Sequence, residues 1–156
     1  MAWAFMATKH EPTLRARALR LLARREHSRE ELRRKLSAFA EEGEAVTVLL
    51  DDLSAQGWLS DARFAEHAAR ARARRFGPLK VAYFLKSRGI AEEIIAAGVR
   101  AAGPEGSASI EAIWRSRFRD LPADERGKAR QVRFLQGRGF PLDEIFRFLK
   151  HLENRK

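Results

Sequence analysis

Apolar residues recur along this chain at intervals of three and four, and almost never in strict alternation with polar ones. That period lines one face of an α-helix, whereas a half-buried strand would need a period of two. Leu14, Ala18, Leu21 and Leu22 form a first stripe, and Leu32, Leu36 and Phe39 a second. Between them, Ser28 and Glu31 have the spacing of a capping box, each side chain satisfying the other's backbone N–H. Val46, Leu49, Leu50 and Leu53 mark a third helix that stops at Gly57. Ser60-Asp61 opens a fourth, with Phe64, Ala65, Ala68 and Ala69 facing inward, and Gly77-Pro78 ends it and starts a fifth. The pattern predicts an all-α protein.

An internal repeat organises these helices. Leu36, Leu85 and Leu135 stand 49 and 50 residues apart. Four positions after them come Ala40, Gly89 and Gly139, where a helix ends with positive φ. Eight positions after come Glu44, Glu93 and Asp143, acids suited to the positive end of a following helix. Val46, Ile95 and Ile145, then Leu50, Val99 and Leu149, complete the register. Three tandem units of three helices follow: residues 13–59, 60–108 and 109–156, preceded by a flexible arm over 1–12. Ala40 lacks the freedom of glycine, so the first unit's second helix is expected to run on through Phe39 and Ala40 to Gly43. Gly, Pro and Ser mark 101–109 as a hinge between units two and three, and 121–127 as a link between helices of unit three.

Composition narrows the class. In 156 residues, 45% are hydrophobic and 33% charged, which excludes a wholly disordered chain and a membrane protein. There is no cysteine, hence no disulfide, thiolate metal site or cysteine nucleophile. The apolar start, Met1 to Lys9, has no basic leader and does not read as a signal peptide, so a cytoplasmic protein is expected. His10, His27, His67 and His151 have no metal-ligand spacing and read as surface or cap residues. Glu41-Glu42, Asp51-Asp52 and Glu92-Glu93 are adjacent pairs that point to different sides of a helix, so they clamp no metal. No phosphate-cradling loop is present, and Gly137-Arg138-Gly139 is explained as a helix end. The residues predict a binding protein without catalytic site, cofactor or metal.

The charge points to what is bound. Lys and Arg number 31 against 21 acids, a net charge of +10, which suits a polyanionic partner such as nucleic acid or a nucleoprotein. Arg63, Arg70 and Arg74 fall at i, i+7 and i+11 and share a stripe with His67, with Arg72, Arg75 and Lys80 nearby. Unit one repeats the theme with Arg17, Arg20 and Arg24, then Arg33, Arg34 and Lys35, and unit three with Arg115, Arg119, Lys128, Arg130 and Arg133. The third helix of each unit begins acidic instead. Phe64, Phe84, Phe134, Trp114 and Phe118 sit at core spacings, Trp58 is placed to cover a unit junction, and Phe76 and Tyr83 are the aromatic surface candidates.

The run from Ala23 through Arg-Glu-His-Ser-Arg-Glu-Glu-Leu to Leu36 resembles the signature of the RecX family, as does Gly57-Trp-Leu-Ser-Asp-Ala-Arg-Phe-Ala65. Asp61, Phe64 and Ala65 match its D-x-x-F-A element, and Gly77-Pro78, Val81, Leu85 and Gly89 its G-P-x-x-[IV]-x-x-x-L-x-x-x-G element. The resemblance covers roughly residues 13 to 150. It implies an elongated, curved array and a regulator, mainly an inhibitor, of the RecA recombinase. Such a protein binds in the groove of the RecA–DNA filament and limits its extension, ATP hydrolysis and strand exchange. The thirteen basic residues expected to make contact are Arg17, Arg20, Arg24, Arg33, Arg34, Arg63, Arg70, Arg72, Arg74, Arg75, Lys80, Arg130 and Arg133, read from charge and not from a family motif. DNA phosphates are a second expected contact, and a monomer the expected state. The alternatives are a helical module that binds DNA directly without RecA, and a scaffold whose charge serves solubility.

Overall fold

The structure, a computed structural model, describes residues 10–103 and 110–156. Among them are nine helices and no strand: α1 (Leu14–Arg24), α2 (Arg29–Ser37), α3 (Gly43–Ala55), α4 (Asp61–Arg72), α5 (Pro78–Ser87), α6 (Glu92–Ala101), α7 (Ile110–Arg115), α8 (Glu125–Gly137) and α9 (Leu142–Asn154). Most of the expected arm and the expected 101–109 hinge lie outside the described residues.

The helices group in threes because each group encloses its own apolar cluster. Ala18, Leu32, Leu36, Val46, Leu50 and Leu53 fill the first, and Phe64, Ala65, Ala69, Val81, Leu85 and Ile95 the second. The third holds Ile113, Trp114, Leu135, Ile145, Phe148 and Leu149. Leu36, Leu85 and Leu135 are each at most 1% exposed, so the residues that set the repeat are the centres of the three cores. Removing any of them would cost about 2–5 kcal/mol. Gln131 takes the place that Leu32 and Val81 hold in the other units, yet it is buried. It is tolerated because its Oε1 accepts the indole N–H of Trp114 at 2.8 Å and its Nε2 donates to the Asp120 carbonyl at 3.0 Å.

The units meet end to end through a repeated joint. At the end of α5, Gly89 (φ +77°) lets the Ile90 N–H reach the Leu85 carbonyl, and Gly139 (φ +97°) does the same after α8 for Phe140 and Leu135. Each of these turns presses on the start of the preceding unit's second helix. The Arg88 carbonyl accepts from Ser28 Oγ at 2.8 Å, and its repeat equivalent, the Arg138 carbonyl, accepts from the Gly77 N–H at 2.7 Å. The Asp61 carboxylate adds a bond from the Arg29 N–H at 2.7 Å, and Leu79 N–H one to Gly139 at 3.0 Å.

In units one and three, two helix boundaries differ from expectation. α2 ends at Ser37 and does not continue through Ala40, because α3 must start at Gly43 to bring Val46 and Leu50 back onto Leu36, and only the intervening residues can reverse the chain. No left-handed residue is used there, and Phe39, expected on the apolar stripe, is 56% exposed. In unit three, Asp124 caps α8 by accepting from the Gly127 N–H, so 125–127 are helical and belong to no linker.

Candidate partner-binding surface

The basic residues fall into two groups, according to whether the fold already uses their charge. Arg63 is used most heavily. Its Nε donates to Glu26 at 2.6 Å and its Nη1 to the Gly57 carbonyl at 2.8 Å, which ties α4 to the end of α1. Arg33 and Arg34 both pair with Glu30, which holds that carboxyl down to about 2, chiefly through the Arg33 hydrogen bond. Arg70 pairs with Glu66 at 2.9 Å, and Arg17 lies over the Phe39 ring at 3.9 Å with a long contact to Glu11.

The second group has no ion pair among the described residues: Arg20 and Arg24 on α1, Arg74 and Arg75 beyond α4, Lys80 on α5, and Arg130 and Arg133 on α8. All are exposed. Lys80 stands over Phe76 at 5.1 Å, and Arg130 lies 6.0 Å from Phe118. The expected stripe of Arg63, Arg70 and Arg74 does not form as a helical face. α4 ends at Arg72, so Arg74 and Arg75 sit on the following turn, and Arg63 is turned into the joint. The helix boundary was hidden because Ala-Arg-Ala-Arg-Arg holds no breaker before Gly77.

Arg72 belongs to neither group. Its guanidinium carbon lies over Phe84, 3.4 Å from the ring centroid, and that of Arg88 approaches the same ring at 4.9 Å. Burial, and then the Arg88 charge, lower the Arg72 pKa. Neither arginine has a carboxylate partner among the described residues. Arg88 was not among the expected contact residues, although the repeat Arg88-Gly89 and Arg138-Gly139 carried a signal for it.

One other expectation changes. His27 is buried and not at the surface: Nδ1 lies 3.0 Å from the Arg25 carbonyl and Nε2 3.0 Å from Lys35 Nζ. Trp58 is 55% exposed, lines a cavity with Leu19, Leu22 and Ala23 of α1 and with Arg63, and accepts from Arg63 through its carbonyl. Ser28 caps Glu31 and the Glu31 carboxylate accepts from the Ser28 backbone N–H in return, as expected, while also pairing with Arg25. Burial pushes the Glu31 carboxyl up, and the Arg25 bond and charge more than offset it, leaving it lowered. Tyr83 is 75% exposed, as a surface aromatic should be.

Serial three-helix units with separate cores and a basic exterior define a helical repeat protein of the kind that offers an extended binding surface. Models of the first, second and third three-helix domains of RecX match residues 15–52, 60–99 and 105–149. The regulatory protein RecX of Chromobacterium violaceum is 42% identical over 133 residues, covering 85% of this chain and 86% of that protein. That of Ralstonia nicotianae is 40% identical over 146 residues, covering 93% and 92%. The crystal structure of RecX from Lactobacillus salivarius superposes with a TM-score of 0.73 at 18% identity, over 88% of this chain and 94% of that one. The chain belongs to the RecX family.

Proposed function

We propose that this chain restrains RecA: it binds the RecA–DNA filament, in its groove, and limits filament extension, ATP hydrolysis and strand exchange without chemistry of its own. The reading is carried by the match of all three domains to RecX, whose curated members are named regulatory proteins. The partner follows from the family resemblance, and the charge agrees with it, since a net +10 suits an anionic nucleoprotein. Exposed, unpaired cations are the ones a partner can engage without breaking an internal pair. Arg20, Arg24, Arg74, Arg75, Lys80, Arg130 and Arg133 are therefore the leading contacts, with DNA phosphates in reach of some of them. Arg17, Arg33, Arg34 and Arg70 would exchange weak surface pairs for intermolecular ones. Arg63 contributes by holding the first joint.

The test is ATP hydrolysis by RecA on single-stranded DNA with this protein at substoichiometric amounts. Turnover is expected to fall as the protein is added, and to recover as salt weakens the contact. Turnover unchanged at low salt would end the reading. Arg74→Glu with Arg75→Glu is expected to weaken the inhibition while leaving the helical circular-dichroism signal intact.

A further inference from the structure

The first joint leaves a cleft of about 340 Å³ between α1–α2 and α4–α5. Phe64, Ala68, Ala71 and Phe84 form its apolar walls, and Arg72 and Arg88 converge on it. Its two carboxylates are already matched, Glu26 to Arg63 at 2.6 Å, and Glu31 to Arg25 with Lys35 at 3.9 Å. Two like charges are thus held over one ring, half-buried, with no carboxylate paired to either among the described residues. Such a pair is unfavourable alone and is relieved by an incoming anion. The second joint shows the contrast: Arg138, equivalent to Arg88, also lies by a phenylalanine, Phe134, but spends its guanidinium on the Arg75 carbonyl at 3.2 Å.

Resting on the filament-binding reading above, we propose that this cleft is the anchor for an acidic side chain of the partner protein, an Asp or Glu carboxylate clamped between Arg72 and Arg88. A carboxylate fits the planar fork of a guanidinium, and apolar walls raise the strength of that bond by thinning the water around it. DNA is the poorer occupant. A strand carries a phosphate on every nucleotide, and the neighbouring ones would meet the carboxylates of Glu26 and Glu31 on the same cleft. A base cannot stack on the face of Phe84 that Arg72 already covers.

The experiment measures binding of the full chain to RecA filaments on poly(dT), and in parallel to naked poly(dT). Arg72→Gln with Arg88→Gln is expected to weaken filament binding roughly thirtyfold, as for loss of a desolvated ion pair, and to change naked-DNA binding by less than about twofold. The charge-matched control, Arg147→Gln with Lys150→Gln on α9, is expected to leave filament binding within about twofold. Should the double variant melt early, the single changes Arg72→Gln and Arg88→Gln serve instead, each with about a tenfold loss. Equal losses on filament and naked DNA would make the occupant a phosphate and overturn the proposal. Unchanged filament binding would overturn the cleft while leaving the regulator reading in place. If the wild-type chain fails to bind filaments at all, the regulator reading falls first and the cleft with it.

Discussion

At the scale of the residue, the joints turn on what a single Cβ would strike. Gly57 and Gly139 both have positive φ, and an L side chain in that region costs about 1 kcal/mol. A Cβ at Gly57 would meet nothing within 4 Å, whereas one at Gly139 would lie 2.8 Å from the backbone N and the Cβ of Lys80. Gly57→Ala is therefore expected to cost about 1 kcal/mol, and Gly139→Ala about 2–4 kcal/mol once overpacking is added, measured by chemical denaturation. Equal costs would mean the second joint is slack. His27 adds a pH dependence. Burial lowers its pKa below the ordinary 6.5, and its partners suit a neutral ring with the proton on Nδ1. As pH falls through 6.5 the unfolded histidine binds a proton that the folded one refuses, so stability drops. Glu30 acts in a separate window, between its ordinary 4.5 and about 2, where it becomes protonated and its arginine pairs are lost. His27→Gln should flatten the melting temperature between pH 7 and 5 and leave the steeper acid limb; an unflattened curve would remove His27 as the cause.

At the scale of the element, most helices were readable because they declare themselves locally, while the end of α4 and the start of α8 were not. Thr13, Ser28, Ser60 and Asp124 all accept from a backbone N–H three residues on, and the 3.6-residue stripes name the buried faces. The joints were not readable, because they depend on what stands opposite. Gly89 and Gly139 look in the sequence like ordinary helix caps, and nothing there says that a neighbouring helix start lies against them. Ser28 likewise reads as a cap, yet its hydroxyl also donates to Arg88 across the joint. The binding surface was legible as an excess of charge and no further, since pairing with Glu26, Glu30 or Glu66 decides which arginines remain unspent. This gives a contrast between two caps. Thr13→Ala is expected to cost about 1 kcal/mol or less, the loss of an exposed cap. Ser28→Ala should cost about 2–3 kcal/mol, because the Arg88 carbonyl also loses its donor, and hydrogen exchange should quicken in α5 as well as α2. Faster exchange confined to α2 would show that the bond does not couple the units.

At the scale of the whole molecule, three separate cores joined only through narrow contacts make a quasi-linear array, and the faces of its outer units decide whether copies can stack. In unit one the second helix ends at Ser37 without a left-handed glycine, so Ala40 does not make the turn that Gly89 and Gly139 make at the two joints. In unit three the position equivalent to Ser28 and Gly77 is Gly127, and it is closed from within. α8 starts three residues earlier in the register than α2 or α5, nearly one full turn. Asp124 and Pro122 fill the space where a following unit's glycine turn would press, lying 3.1 and 3.5 Å from where a Cβ of Gly127 would be. The joint that links units one to two and two to three is therefore not expected to form between one copy of the chain and the next. The chain is expected to sediment as a monomer across a wide concentration range, and Ala40→Gly alone should not change that, because the other half of the joint stays closed. Mass that grows steadily with concentration would show that the ends do pair, and would sink this account of how the array is capped.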